Sequence, residues 1–310
     1  LDVSTRQIEK AADALKILRP VYEPLLTFYG QVFISQEKSK AHIDLEPIAL
    51  SADTVALIQK ESMPLVDITE FNVDVAAGKT LLKEICHIIE ALNPEMAMAA
   101  KTIREALGSD IIPGALFTAL LRSDDAYFEE TADQASIDKQ ALAFVAYNSA
   151  KPSLMLCAEQ LAGYLGDSEN QLPGYCPVCG NAPGISILDT DGARFLYCSF
   201  CWHQWAITRG RCPFCGNQDQ STHYYFYSEA EKSYRVDVCD HCKKYIKTVD
   251  LRKTQHPVYA PLELVSSLHL DMRAREAGYG LLSVTPQRCL NIGQRSSYFA
   301  NIERNFISSN

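Results

Sequence analysis

No run of this sequence is apolar for long enough to cross a membrane. The best, Ile111 to Leu121, is interrupted by Pro113 and Gly114 and falls short of the roughly 18 residues a spanning helix needs, which excludes a transmembrane protein. No secretory signal is visible either, since Leu1 to Lys10 alternates charged and polar residues without an apolar core. The expected compartment is the cytoplasm. Basic charge is in short supply: 29 Lys+Arg stand against 38 Asp+Glu for a net charge of −9, and residues 1–174 alone hold 14 basic against 26 acidic side chains. Such a surface repels phosphate backbones, so nucleic acid is disfavoured as a partner of the first half. Catalytic signatures are missing too. There is no H-E-x-x-H, G-x-S-x-G, Walker loop or G-x-G-x-x-G, and His42, His87, His256 and His269 are scattered singly. No catalytic residue is assigned, and an enzyme is not expected.

What the chain does have is ordinary globular material: 310 residues, 47% apolar and 22% charged, enough for two domains with buried cores. Its eleven cysteines are unevenly spread, with eight of them between Cys176 and Cys242 in four C-x-x-C pairs, Cys176/Cys179, Cys198/Cys201, Cys212/Cys215 and Cys239/Cys242. Two cysteines three apart on a tight knuckle aim both sulfurs at one centre, and two knuckles supply the tetrahedral four-thiolate set that zinc prefers. Metal ligation is therefore favoured over disulfides.

An internal repeat groups the pairs. Cys-Pro-Val-Cys-Gly-Asn at 176–181 recurs as Cys-Pro-Phe-Cys-Gly-Asn at 212–217, so the chain carries one module twice. Strands are predicted at Ile185–Leu188, Arg194–Tyr197 and Trp205–Thr208 in the first module, and at His223–Tyr227, Tyr234–Val238 and Tyr245–Val249 in the second. The second module is five residues longer between its knuckles, an insertion expected in its hairpin. Each module reads as a three-stranded zinc-ribbon or rubredoxin-like sheet, too small to bury a core alone and stapled by its metal. Two metal ions in four-cysteine sites, zinc or iron, are the cofactors expected, since four thiolates suit either. His203 and His241 sit beside the knuckles, yet eight cysteines already complete two sets.

Residues 1–172 read as an acidic helical bundle. Ser4 and Gln7 offer a capping box before Ile8, Ala12, Leu15 and Leu18, with Pro20 as stop. Leu81, Leu82, Ile85, Ile88, Ile89 and Leu92 form an apolar stripe, Met96, Ala99, Ile103 and Leu107 another. Ile137 to Leu165 is one long helix or two, with Pro152 as kink or break. Cys86 and Cys157 fall on such stripes as buried thiols, and Cys289 is unassigned. The fold class expected is α+β: helical domain 1–172, first ribbon 173–210, second ribbon 211–258, a closing helix within 259–284 (Pro261 to Ala277, with Leu262, Val265, Leu268 and Met272 on its apolar face), and a tail at 285–310 with the composition of a disordered segment. Arg209, Arg211, Lys243 and Lys244, with Trp202 among them, form a basic aromatic set that is the candidate partner-binding face, against the plainer reading of a solvated ribbon surface.

Four C-x-x-C pairs behind a helical half resemble the FdhE family of formate dehydrogenase accessory (formation) proteins. The resemblance is carried by Arg194-Phe195-Leu196-Tyr197-Cys198-Ser199-Phe200-Cys201 with Trp205, by Cys239-x-x-Cys242 with Tyr245-Ile246-Lys247, and by Arg275-Glu276-Ala277-Gly278-Tyr279. It covers about Leu172 to Gly280. The resemblance implies an accessory role: binding the catalytic subunit of a molybdenum or tungsten formate dehydrogenase during maturation in the cytoplasm. It also implies rubredoxin-like iron in the knuckles. Two other classes remain to be weighed, a nucleic-acid-binding tandem zinc-ribbon protein and a rubredoxin-like redox protein. No membrane partner is expected, and homo-oligomerisation is left open.

Overall fold

The computed structural model describes residues 3–166, 174–229 and 231–280. The expected tail, Cys289 and most of the linker into the first ribbon lie outside these residues. The chain divides into two compact units, one formed by residues 3–46 and 68–157 and the other by 47–67, 158–166 and 174–280. No described helix is long and apolar enough to cross a membrane.

The first unit is helical: α1 (Val3–Leu18), α2 (Glu23–Lys40), α4 (Val75–Leu92), α5 (Ala97–Glu105), α6 (Pro113–Arg122), α7 (Asp125–Ala135) and the greater part of α8 (Lys139–Ala162), while α3 (Ala52–Glu61) belongs to the second unit. Ser4 falls inside α1 rather than at its cap. Short acidic side chains start several helices by accepting from otherwise unpartnered backbone N–H groups: Asp74 from Ala76 and Ala77, Asp124 from Tyr127, and Asp138 from Ala141. The stripes predicted from spacing supply the core, with Ile8, Leu15, Leu82, Ile85, Ile89 and Ile103 all fully buried. Pro152 is absorbed within one continuous α8. Cys86 and Cys157 are buried here, and burial pushes the Cys86 thiol up to about 12.

The second unit is a β-sheet of strands β1 (Pro183–Leu188), β2 (Arg194–Cys198), β3 (Gln204–Ile207), β4 (His223–Tyr227), β5 (Tyr234–Cys239) and β6 (Lys244–Asp250). Each ribbon is antiparallel inside itself, as expected. The two do not stand apart, however. Strand β1 pairs parallel with β6, Ser186 opposite Thr248 and Leu188 opposite Asp250, giving one six-stranded sheet in the order β3-β2-β1-β6-β5-β4. Because β6 holds in the second ribbon the place β3 holds in the first, the parallel pairing repeats the module in one orientation. Both knuckle pairs therefore lie at the same end of the sheet.

One face of that sheet, bearing Ile185, Ile187, Tyr234, Val236, Tyr245 and Val249, packs on Ala260 of α9 (Ala260–Val265) and on Leu270 and Ala274 of α10 (Leu268–Glu276). The single closing helix expected from Pro261 to Ala277 is thus two. Ser266 and Ser267 break it, their hydroxyls turned back onto the Glu263 carbonyl, a local competition for backbone groups that suits serine at helix ends. The extra residues of the second module also sit elsewhere than expected. Most precede β4, where Asp219 caps a short 3-10 turn, Gln220–Thr222, by accepting from Ser221 N at 3.0 Å; the first module runs from Asn181 almost directly into β1.

Candidate metal centres

The four knuckles share one backbone device. The residue after the second cysteine of each pair is left-handed: Gly180 at φ 72°, Trp202 at 61°, Gly216 at 72° and Lys243 at 55°. That turn lets the N–H of Gly180, Gly216 and Lys243 reach the carbonyl of Cys176, Cys212 and Cys239, at 2.9, 3.1 and 2.8 Å. In the duplicated C-P-x-C-G-N knuckles the asparagine carbonyl also accepts from the first cysteine's N–H, Asn181 from Cys176 at 2.7 Å and Asn217 from Cys212 at 2.8 Å. Glycine takes this conformation freely, while tryptophan and lysine take it at a cost.

The sulfurs converge in two sets, Cys176/Cys179/Cys198/Cys201 and Cys212/Cys215/Cys239/Cys242, with all ligand atoms of a set within 4.8 Å of one another. In the first set Cys176 and Cys201 are 3.8 Å apart and Cys179 and Cys198 3.5 Å. In the second, Cys212 and Cys242 are separated by 3.7 Å and Cys215 and Cys239 by 3.9 Å. Four thiolates about 2.3 Å from a central ion stand about 3.8 Å from each other in a tetrahedron, whereas a disulfide needs about 2.05 Å. The donor sets fit a tetrahedral ion, and the geometry is the same for zinc and for mononuclear iron.

Backbone and amide donors already face the sulfurs. Phe200 N and Cys201 N donate to Cys198 Sγ at 3.3 and 3.5 Å, Phe214 N to Cys212 Sγ at 3.5 Å, and Asn181 Nδ2 to Cys179 Sγ at 3.5 Å. Such bonds stabilise thiolate charge. Burial works the other way: desolvation drives the Cys176 and Cys201 thiols well up and raises Cys212 to about 11, while hydrogen bonds hold Cys179 and Cys239 down. An incoming cation must displace those protons. The sets differ in exposure, the first wholly buried, the second with Cys215 exposed and Cys242 half-buried. Neither His203 nor His241 joins a set; His203 stacks on Trp205 with centroids 6.3 Å apart.

The basic aromatic set predicted as a partner face is divided by the structure. Arg209, Arg211 and Lys244 line one cavity. Lys243 stands apart on the fourth knuckle, hydrogen-bonded to Asp240 and over the Tyr279 ring, and Trp202 packs against the sheet and helix core. Sequence spacing missed two contributions. Segment 47–67 reaches the first knuckle, Leu65 N and Val66 N donating to the Pro177 and Val178 carbonyls at 2.9 and 3.1 Å, through backbone groups that carry no side-chain signal. Arg194 reaches across the sheet to Ser186, Asp237 and Thr248, a network visible only once the six strands are ordered.

A helical unit beside tandem four-cysteine ribbons fused into one sheet defines a zinc-ribbon-like metal-binding class. Comparison with known proteins narrows it. The family model of the FdhE central domain matches residues 175–209. An FdhE homologue of Aquifex aeolicus is 40% identical over 117 residues, 36% of this chain and 41% of that protein. One of Pectobacterium atrosepticum is 28% identical over 276 residues, 84% of this chain and 80% of the relative. The crystal structure of the FdhE protein from Pseudomonas aeruginosa shares the fold with a TM-score of 0.60 at 20% identity, covering 92% of this chain and 97% of that one. The chain thus carries the FdhE central domain and is similar to FdhE proteins along most of its length.

Proposed function

We propose that this protein binds the catalytic subunit of a molybdenum or tungsten formate dehydrogenase and is required in the cytoplasm for formation of the active enzyme. The observation that carries the reading is the likeness to FdhE proteins along most of the chain, together with two intact four-cysteine sets. In this reading a zinc or iron ion in each set supplies folding free energy to the knuckles and fixes the turn geometry on which the exposed surface is built. Trp202, Arg209, Arg211, Lys243 and Lys244 are the candidate contacts.

The test is capture of the catalytic subunit by the purified, metal-loaded protein without oxygen, coupled to formate dehydrogenase activity in a deletion strain. Capture, with loss of activity on deletion, is expected. Charge reversal at Lys243 and Lys244, with metal content unchanged, should weaken capture if the ribbon face docks. Failure to capture together with full activity in the deletion strain would overturn the proposal. Salt-dependent retention on DNA in that event would favour a nucleic-acid-binding ribbon protein.

A further inference from the structure

The sheet face opposite α9 and α10 carries a cavity of about 270 Å³, closed on one side by the segment joining the two ribbons and on the other by β4 and β5. Five permanently basic side chains line it, Arg194, Arg209, Arg211, Arg235 and Lys244, joined by His223. Asp237 is the one carboxylate among the described lining residues, and it is already engaged. Arg194 Nη2 donates to it at 2.9 Å, Thr248 Oγ1 donates to it as well, and Arg235 Nε stands 3.0 Å away without hydrogen-bond alignment. That leaves the positive charge of Arg209 and Arg211 uncompensated by any lining carboxylate. Residues 175–284, with 12 basic against 11 acidic side chains, thus concentrate cations at one point.

Arg211 Nε and His223 Nε2 are buried without a hydrogen-bond partner among the described residues. Buried polar atoms rarely go unpaired in native proteins, and a bound water or ion is one of their standard partners. Their neighbours Tyr224 and Tyr225 are 53% and 58% exposed at the cavity mouth. The volume is below the roughly 300 Å³ at which drug-sized sites begin, so it suits a compact, multiply charged group. Planar guanidinium forks converging from separate elements match the oxygens of a phosphate.

We propose that this cavity binds the phosphate or diphosphate group of a small phosphorylated ligand, independently of any capture of formate dehydrogenase. The experiment titrates inorganic pyrophosphate, phosphate and citrate calorimetrically into the full, metal-loaded chain at fixed salt. Pyrophosphate should saturate at one per chain and bind more tightly than phosphate or citrate. Arg211→Gln should weaken it by about tenfold or more. Because Arg211 precedes Cys212, exposed Arg209→Gln is the second variant, and metal content is measured for both. Weakened binding in Arg209→Gln with metal retained supports the site. Absence of saturable pyrophosphate binding, wild-type affinity in both variants, or tighter binding of citrate than of pyrophosphate each overturns it, the last pointing to an acidic peptide or other carboxylate.

Discussion

Two lysines are buried in this protein, and their replacement by methionine should have opposite effects. Lys151, on α8, is 2% exposed, with its ammonium 4.6 Å from the centre of the Phe33 ring. Burial, and then the like charge of Lys40, lowers its pKa from 10.5 to about 7. The folded state therefore binds its proton less well than the unfolded chain. Below pH 7 the full cost of that mismatch opposes folding; it declines as pH rises from 7 to 10.5 and is gone above. At 1.36 kcal/mol per unit the cost is about 4 kcal/mol at pH 7, about 3 at pH 8.5 and under about 0.5 at pH 10.5. Attraction to the Phe33 ring offsets part of it, up to about 2 kcal/mol. Methionine keeps the stem and removes the charge, so Lys151→Met should stabilise the helical unit at neutral pH with a gain that fades toward pH 10.5.

Lys247 is 3% exposed, and its ammonium meets Asp271 Oδ2 at 2.7 Å and the Leu264 carbonyl at 2.8 Å. Lys247→Met strands a buried carboxylate and should cost about 3 to 5 kcal/mol. Urea unfolding followed by helical circular dichroism reads the first variant. Trp202 and Trp205 lie in the ribbon unit, so tryptophan fluorescence reads the second. A pH-independent effect of Lys151→Met, or destabilisation at pH 7, would refute the reasoning.

Three further outcomes follow from the knuckles. A chelator should strip the set containing exposed Cys215 before the wholly buried first set, giving two kinetic phases of metal release with strand signal falling and helix signal kept; a single phase, or an unchanged sheet after full removal, contradicts this. Since burial raises the Cys176, Cys201 and Cys212 thiols, metal affinity should fall as pH falls, checked by competition with a metal-sensitive dye at several pH values. Lys243 pays for a left-handed conformation at φ 55°, so Lys243→Gly should leave the metals in place and raise ribbon stability by up to about 1 kcal/mol, read by thermal unfolding.

The strands and knuckles were legible because cysteine spacing, the repeated C-P-x-C-G-N and apolar alternation all act locally. The pairing of β1 with β6 was not, since both are largely buried strands whose neighbour is chosen by the packing of the whole unit rather than by any residue within them. The same holds for the cavity: Arg194, Arg211 and Arg235 come from separate parts of the chain and meet only after the ribbons join. The break at Ser266 and Ser267 carried a local signal, two adjacent serines able to bond back to the preceding turn, which the apolar spacing of Leu262, Val265, Leu268 and Met272 overrode.

The most direct test of the central claim is metal content and thiol reactivity measured on one sample purified without oxygen. Each four-cysteine set should hold its own ion, giving two metals per chain and eight knuckle thiols shielded from alkylation until a chelator is added. Fewer than two metals per chain, with the knuckle thiols reduced and freely alkylated in the folded protein, would contradict it.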